Sequence, residues 1–430
     1  MKTAQPWKVV LGAAVALVAL GVGVYVVSSV ASQPPRLTPS TAHRDAPIPK
    51  PAPSSFPSVS PGTEVARNGD EIMVAGRLFR TGTRVVLWTE PKGFDAYRTE
   101  RRFSPWPVAK WANPILTPTP RGPVVAAPAG FEGQPASPAR VGIRDDVLSW
   151  AELEQVRGGA WPLELLQQKI DQFVLHYDVV GLSQYCFRTL HDDRGLSVHF
   201  LLDIDGTIYQ TMDLKDRAFH ATTSNHRSVG IEIAHRGAYE SDIPLREFYA
   251  KDGEGPYITI PARFGDGGVL VPGRYRPARV QLVRGRINGL NLVMYDFTPQ
   301  QYDALTRLTA TLCTVLPRIT LDYAKDERGD VVTRKLPDAR LAGLQGLVGH
   351  FQIQDEKFDP GPAFDWERVV GGARALMSEE ALAENRANAG KPVREGAMAG
   401  VAEVSTSQPS TRGSGRVPPR TTPRPGQRAR

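Results

Sequence analysis

The chain has 430 residues, 41% hydrophobic and 23% charged, with 37 prolines, 40 glycines, two cysteines and a net charge of +7. That length has room for two to three domains, two cysteines are too few for a disulfide framework, and the uneven placement of proline excludes a chain that packs from end to end. From Arg386 onward nine basic residues stand against Glu395 and Glu403, an excess of seven that equals the charge of the whole chain. The remainder is neutral overall. The tail reads as a solvated extension or as a strip that adheres to an anionic polymer or membrane. It has no aromatic interleaving, so no specific nucleic-acid partner is expected.

At the N-terminus Lys2 and Lys8 precede an uncharged run from Val9 to Ala31, 23 residues and long enough to cross a hydrocarbon core of about 30 Å as a helix. Residues 1–31 therefore read as a transmembrane anchor, or as a signal segment cut after Ser29-Val30-Ala31. The lysines keep that end in the cytoplasm, so the remainder is expected to be exported, facing the periplasm or cell wall, or secreted if the segment is cleaved. Nine prolines between 34 and 61 make 32–62 an extended linker. EIMVAGRLFRTGTRVVLW (71–88) has strand composition around Thr81-Gly82-Thr83 and predicts a hairpin there. With the nine prolines of 104–140, residues 63–140 read as a small β-rich region with a proline-rich connector.

The main globular signal runs over 145–376. LELLQQKIDQ (163–172) predicts a helix leading into the strand FVLHYD (173–178). VHFLLDIDGTIYQTM (198–212) holds two strands around Asp205-Gly206, a tight-hairpin dipeptide. SVGIEIAH (228–235) is a further strand, and 238–297 reads as a long insertion of strands and loops. Thr298-Pro299-Gln300-Gln301 supplies an N-cap, a proline at N1 and a capping-box glutamine. Tyr302, Leu305, Leu308 and Leu312 then share one helical face. GLVGH (346–350) is the last strand. Strands mixed with helices and hairpins predict an α/β fold, a central mixed β-sheet flanked by helices. Residues 377–430 are expected to be a disordered basic tail. Cys186 and Cys313 could form one bridge or be two buried thiols.

Two histidines end apolar strands, His176 in FVLH and His350 in GLVGH, and Asp359 follows within GHFQIQDEKFDPGPAFDW (349–366). These three could converge as a two-histidine, one-carboxylate zinc site with an open fourth position, the arrangement a hydrolytic Zn2+ needs. Other readings stand beside this one. Glu232 could be a strand carboxylate paired with Arg236, Lys357 a solvated loop charge, His199 a core hydrogen-bonding group, and His226 and His235 loop or strand-end groups.

Five pieces in order, FVLH, SVHFLLDIDGTIYQ (197–210), RAFHA (217–221), RSVGIEIAH (227–235) and GHFQIQDEKFDPGPAFDW, resemble the zinc-dependent N-acetylmuramoyl-L-alanine amidases, the amidase-2 group that also includes peptidoglycan recognition proteins. The resemblance implies that His176, His350 and Asp359 bind zinc, that Glu232 is the catalytic acid/base, that Lys357 stabilises the developing oxyanion, and that His220 belongs to the substrate cleft. It implies hydrolysis of the amide between N-acetylmuramic acid and L-alanine in peptidoglycan or muropeptides. The alternative is a non-catalytic peptidoglycan-binding module tethered to the membrane, and a third reading is a structural link between membrane and wall. Departures from the family pattern are the nine-residue His350–Asp359 spacing, Tyr177-Asp178 after the first ligand, Phe-His-Ala-Thr at 219–222, and the insertion 238–297. None removes a ligand.

Overall fold

The computed structural model describes residues 60–97 and 141–391. The expected anchor 9–31, the proline-rich stretches 34–59 and 104–140, and the chain beyond 391 lie outside the described residues. Among the described residues no helix is long and apolar enough to cross a membrane.

In chain order the elements are β1 (Glu71–Val74), β2 (Arg77–Arg80), β3 (Val85–Leu87), β4 (Val141–Gly142), α1 (Trp150–Val156), α2 (Leu163–Lys169), β5 (Gln172–Tyr177), α3 (Ser183–Phe187), β6 (Phe200–Leu202), β7 (Ile208–Gln210), β8 (Arg217–Ala218) and β9 (Ser228–Ile233). There follow β10 (Tyr249–Asp252), β11 (Gly255–Ile258), β12 (Val283–Ile287), β13 (Leu290–Met294), α4 (Pro299–Val315), α5 (Asp338–Gly343), β14 (Gly346–Gly349), α6 (His350–Ile353), α7 (Trp366–Leu376) and α8 (Glu379–Asn388). Six strands form one sheet in the order β14-β5-β9-β6-β7-β3. All neighbours are parallel except the β6–β7 hairpin, which turns at Asp205-Gly206 with Gly206 at φ 84°. The expected mixed sheet flanked by helices is the one observed.

Strand alternation gives the sheet two unlike faces. Phe173 and Leu175 of β5, Val229, Ile231 and Ile233 of β9, and Phe200 and Leu202 of β6 join one buried core with Tyr302, Leu305, Leu308 and Leu312 of α4. Those three leucines are at most 1% exposed, and burying each contributes about 1.5–3 kcal/mol. Thr298 caps α4 through the capping box read from the sequence, its hydroxyl accepting from Gln301 N–H at 3.0 Å. The residues between, His176 on β5 and Gly230 and Glu232 on β9, face the other way. Parallel register sets His176 directly beside Glu232. The polar groups of the site lie on the second face, among buried apolar residues such as Val174, Val348 and Leu201.

Two features of the architecture differ from the sequence expectations. The first hairpin turns at Ala75-Gly76, both at positive φ (51° and 76°), not at Thr81-Gly82-Thr83. Positive φ at both central residues is the hairpin geometry that matches strand twist, and Ala-Gly announces it more weakly than Asn-Gly. Thr81 instead turns the chain, its hydroxyl donating to Asp70 O at 2.6 Å. From there β3 pairs with β7, so part of the region expected to stand apart completes the central sheet, and Ile72, Val74, Phe79, Val85 and Leu87 share its core. A strand edge such as that of β7 offers unpaired backbone groups, and no local pattern reveals which distant segment takes them. The second difference lies past residue 376. There α8 packs Ala381 and Leu382 into the core, and Asn385 Nδ2 donates to the carbonyls of Ile319 (2.8 Å), Pro317 (3.2 Å) and Cys313 (3.3 Å). The folded part therefore runs into the stretch expected as tail. Cys186 and Cys313 are buried free thiols.

The β6–β7 turn leads to a pH prediction. Asp203 is 1% exposed; its Oδ1 accepts from Ile204 N–H at 2.8 Å, and its Oδ2 has no partner. Burial, reinforced by Asp205, pushes its pKa up to about 8. A carboxyl raised in the folded state binds more protons folded than unfolded. Its stabilisation is full below the unfolded value of about 3.9 and is lost as pH rises toward about 8. Relative to Asp203→Asn, the wild type is expected to lose about 1.4 kcal/mol of stability per pH unit across that window. Urea unfolding of both proteins at several pH values measures the difference, and parallel curves would refute it.

Candidate metal centre

Two ligand positions are strand ends. His176 is the penultimate residue of β5, and His350 follows the last residue of β14 as the first of the single-turn α6. The chain is then irregular to Asp359, with Phe351 N–H donating to Asp359 O at 3.1 Å to close the loop. The Asp359–Pro360 peptide is cis. Regular structure ends with that one helical turn at Ile353 and resumes only at Trp366.

The structure brings His176, His350 and Asp359 together, at 1%, 7% and 7% exposure. His176 Nδ1, His350 Nδ1 and Asp359 Oδ2 lie 2.9 Å from one another in all three pairs. The outer nitrogens explain the orientation. His350 Nε2 is 2.9 Å from Gln354 Oε1, whose Nε2 donates to Glu356 at 2.6 Å, so His350 carries its proton on Nε2 and turns a lone pair inward. His176 Nε2 meets His220 Nδ1 at 3.0 Å, and His220 Nε2 meets Ser228 Oγ at 3.3 Å; with the Ser228 hydroxyl as acceptor, this chain puts the His176 proton on Nε2 and leaves Nδ1 a lone pair. Burial, then His350, lowers the His176 pKa to about 4; burial, then His176, lowers that of His220 well below the usual range. Burial alone would raise the Asp359 carboxyl, but the two imidazoles pull it well below. Two imidazole nitrogens and a carboxylate oxygen converge on one point. Such a set suits a cation. These residues fit a metal ion on the chemistry of their donors.

Glu232 stands beside this group on the neighbouring strand. Its Oε2 is buried without a partner, and burial, then Asp359 and Asp178, pushes its carboxyl well above the usual range. Lys357 is half-buried on the ligand loop, and its charge favours the ionised form of Glu232 while opposing protonation of His176. His220, expected at the substrate cleft, packs edge-on against the His176 ring at 5.2 Å between centroids. Its place explains Gly230: a Cβ there would lie 2.5 Å from the His220 ring. His199 is a buried core histidine whose Nδ1 accepts from Gly230 N–H at 3.1 Å. His235 is buried too, accepting from Gly237 N–H at 2.8 Å. His226 lies with Asp145 and Asp146, and the Arg217 guanidinium, 2.7 Å from His226 Nε2 and 3.1 Å from Asp145, already supplies a cation there.

Gln354 and Ser228 were not singled out from the sequence. Gln354 had a legible signal, the i,i+4 spacing from His350 that puts two side chains on one helical face. Ser228 had none. A cleft of about 500 Å³ runs past Thr222, Thr223, Arg227, Gln354 and Glu356. It touches the centre through Gln354 and does not include the three donors.

The fold and the site define a class: a mixed α/β sheet carrying a buried His–His–carboxylate group that could hold a metal, next to a half-buried glutamate whose Oε2 has no partner. Residues 166–362 match the model of the N-acetylmuramoyl-L-alanine amidase family. Among solved structures, the chain is similar to a selenomethionine derivative of AmpD, with 18% identity over 56% of this chain and 91% of that one at a TM-score of 0.26. It is also similar to the amidase AmiD from E. coli in complex with anhydro-N-acetylmuramic acid-L-Ala-D-gamma-Glu-L-Lys, with 19% identity over 49% of this chain and 59% of that one at a TM-score of 0.27. A third is the endolysin amidase LysCS from Clostridium intestinale URNW, with 16% identity over 50% and 88% at a TM-score of 0.26. At such scores the assignment rests on the family match alone. No curated protein matches the chain.

Proposed function

We propose that this protein hydrolyses the amide bond between N-acetylmuramic acid and L-alanine in peptidoglycan or muropeptides, with a zinc ion held by His176, His350 and Asp359. The observation that carries the reading is the convergence of two imidazole nitrogens and a carboxylate oxygen at 2.9 Å beside Glu232, whose Oε2 has no partner. When bound, the ion would supply Lewis-acid polarisation of the carbonyl and a lowered pKa for a water.

The chain's own residues do the rest. Gln354 and His220 hold the two imidazoles in the tautomer that exposes Nδ1, the role outer partners of ligating histidines commonly take. Glu232, raised by burial and by Asp359, is suited to accept a proton from the attacking water and return it to the departing L-alanine nitrogen. Lys357, on the loop that carries Asp359, offers its ammonium to the oxygen that gains charge. The cleft beside Gln354, with Arg227 and Glu356 on its walls, would take the peptide arm of the substrate. With 9–31 as anchor or signal segment, the domain would act outside the cytoplasmic membrane.

The test is mass spectrometry of a muropeptide digest by the full-length protein loaded with zinc, against a chelated control. Free stem peptide and intact disaccharide are expected only with zinc. Equal cleavage in both samples would sink the metal-dependent reading, and intact muropeptide in both would leave a recognition module.

A further inference from the structure

The segment 238–297 has no role in the chemistry above, yet its second hairpin touches the ligand loop. The β12–β13 turn is Asn288-Gly289, both at positive φ (45° and 86°), the two-residue turn that Asn-Gly favours. Asn288 Nδ2 lies 2.8 Å from Lys357 O, 3.0 Å from Phe351 O and 3.2 Å from Gln354 O. Its Oδ1 accepts from Lys335 N–H at 2.8 Å, which settles the amide orientation: one donor on one side, three acceptors on the other. All three carbonyls belong to the loop between His350 and Asp359. Beyond Asp359 the same hairpin meets the chain again. Gly285 lies so close to Pro362 that a Cβ there would come within 2.6 Å, and Met294 Sδ accepts from Ala363 N–H at 3.4 Å.

A one-turn helix followed by irregular chain leaves its carbonyls without internal partners, and unpaired groups away from water cost free energy. One side-chain amide gathers three carbonyls of this stretch, those of Phe351 and Lys357 and that of Gln354, which also accepts from Lys357 N–H at 3.3 Å. The geometry points to Asn288 as a positioning residue for the metal centre, and to the β12–β13 hairpin as a brace that holds His350, Lys357 and Asp359 in register with His176. The inference rests on the zinc reading above, but its physical content, the ordering of residues 351–359, can be read without metal.

Three variants of the full-length protein separate the brace from the turn. Asn288→Gly keeps the positive φ and removes the amide. Asn288→Asp keeps the acceptor for Lys335 but turns a carboxylate oxygen toward the three carbonyls. Gly289→Ala strains the same turn, where φ is 86° and a Cβ meets nothing within 4 Å. Zinc affinity, measured by competition with a chromogenic chelator, is expected to fall about 10–100-fold in both Asn288 variants, the range for residues that orient ligands, and within about threefold in Gly289→Ala. Hydrogen exchange should quicken at Phe351 and Lys357 in the Asn288 variants alone. Unchanged affinity in both Asn288 variants, or an equal loss in Gly289→Ala, overturns the brace. If the wild type itself binds no zinc, the proposed function fails and exchange decides alone: faster exchange in Asn288→Asp than in Gly289→Ala keeps the brace, and equal rates remove it.

Discussion

His350→Ala is expected to strip the protein of zinc and of turnover together. The substitution leaves two donors, His176 Nδ1 and Asp359 Oδ2, where a catalytic zinc takes three from the protein. It also releases Gln354, which has His350 Nε2 as its partner at 2.9 Å, and so loosens the turn on which the loop to Asp359 begins. Changing a residue that only orients a ligand weakens metal affinity about 10–100-fold, so losing a ligand should exceed ~100-fold. Zinc content by elemental analysis after gel filtration, alongside muropeptide turnover, measures both. A variant that keeps one equivalent of zinc and full turnover would exclude His350 as a ligand. One that loses zinc but keeps turnover would detach the metal from the reaction.

Glu232→Gln separates proton transfer from metal binding. Glutamine has the shape of glutamate and cannot take a proton, so kcat is expected to drop about 10²–10⁴-fold with zinc content unchanged. The same substitution removes a carboxylate that burial, Asp359 and Asp178 all disfavour in its charged form. Thermal stability is therefore expected to hold or rise while activity falls, the trade found where a site keeps a group its surroundings oppose. The readouts are kcat, zinc content and the melting temperature of the same preparation. A kcat within tenfold of wild type would remove Glu232 as the acid/base. Lost zinc would instead mean that its place beside His176 supports the ligand set.

The candidate site was legible because its chemistry lies in short, ordered pieces. FVLH and GLVGH announce strands that end in histidine, and strand periodicity by itself sets Phe173 and Leu175 on the face opposite His176. The Thr298–Gln301 capping box, the Asp205-Gly206 turn and the leucine face of α4 were equally local and equally visible. Lys357 and Asp359 could be read from the DEKFDPGP run, and the part proposed for them rests on family resemblance as much as on physics.

What local pattern could not supply was pairing across long stretches of chain. That β3 joins the edge of β7, that α8 returns to cap the ends of the core, and that Asn288 in an apparent insertion reaches the carbonyls of Phe351, Gln354 and Lys357 all depend on groups tens to hundreds of residues apart. Backbone donors and acceptors are identical at every residue, so sequence marks where a strand edge or a bare carbonyl arises but not what satisfies it. The identity of the donors, the strands that carry them and the turn residues were determined by the sequence itself. The meeting of His176, His350 and Asp359, the contacts of their outer nitrogens with Gln354 and His220, and the raised carboxyl of Glu232 were decided by the tertiary structure, because burial and through-space fields exist only once the chain has closed.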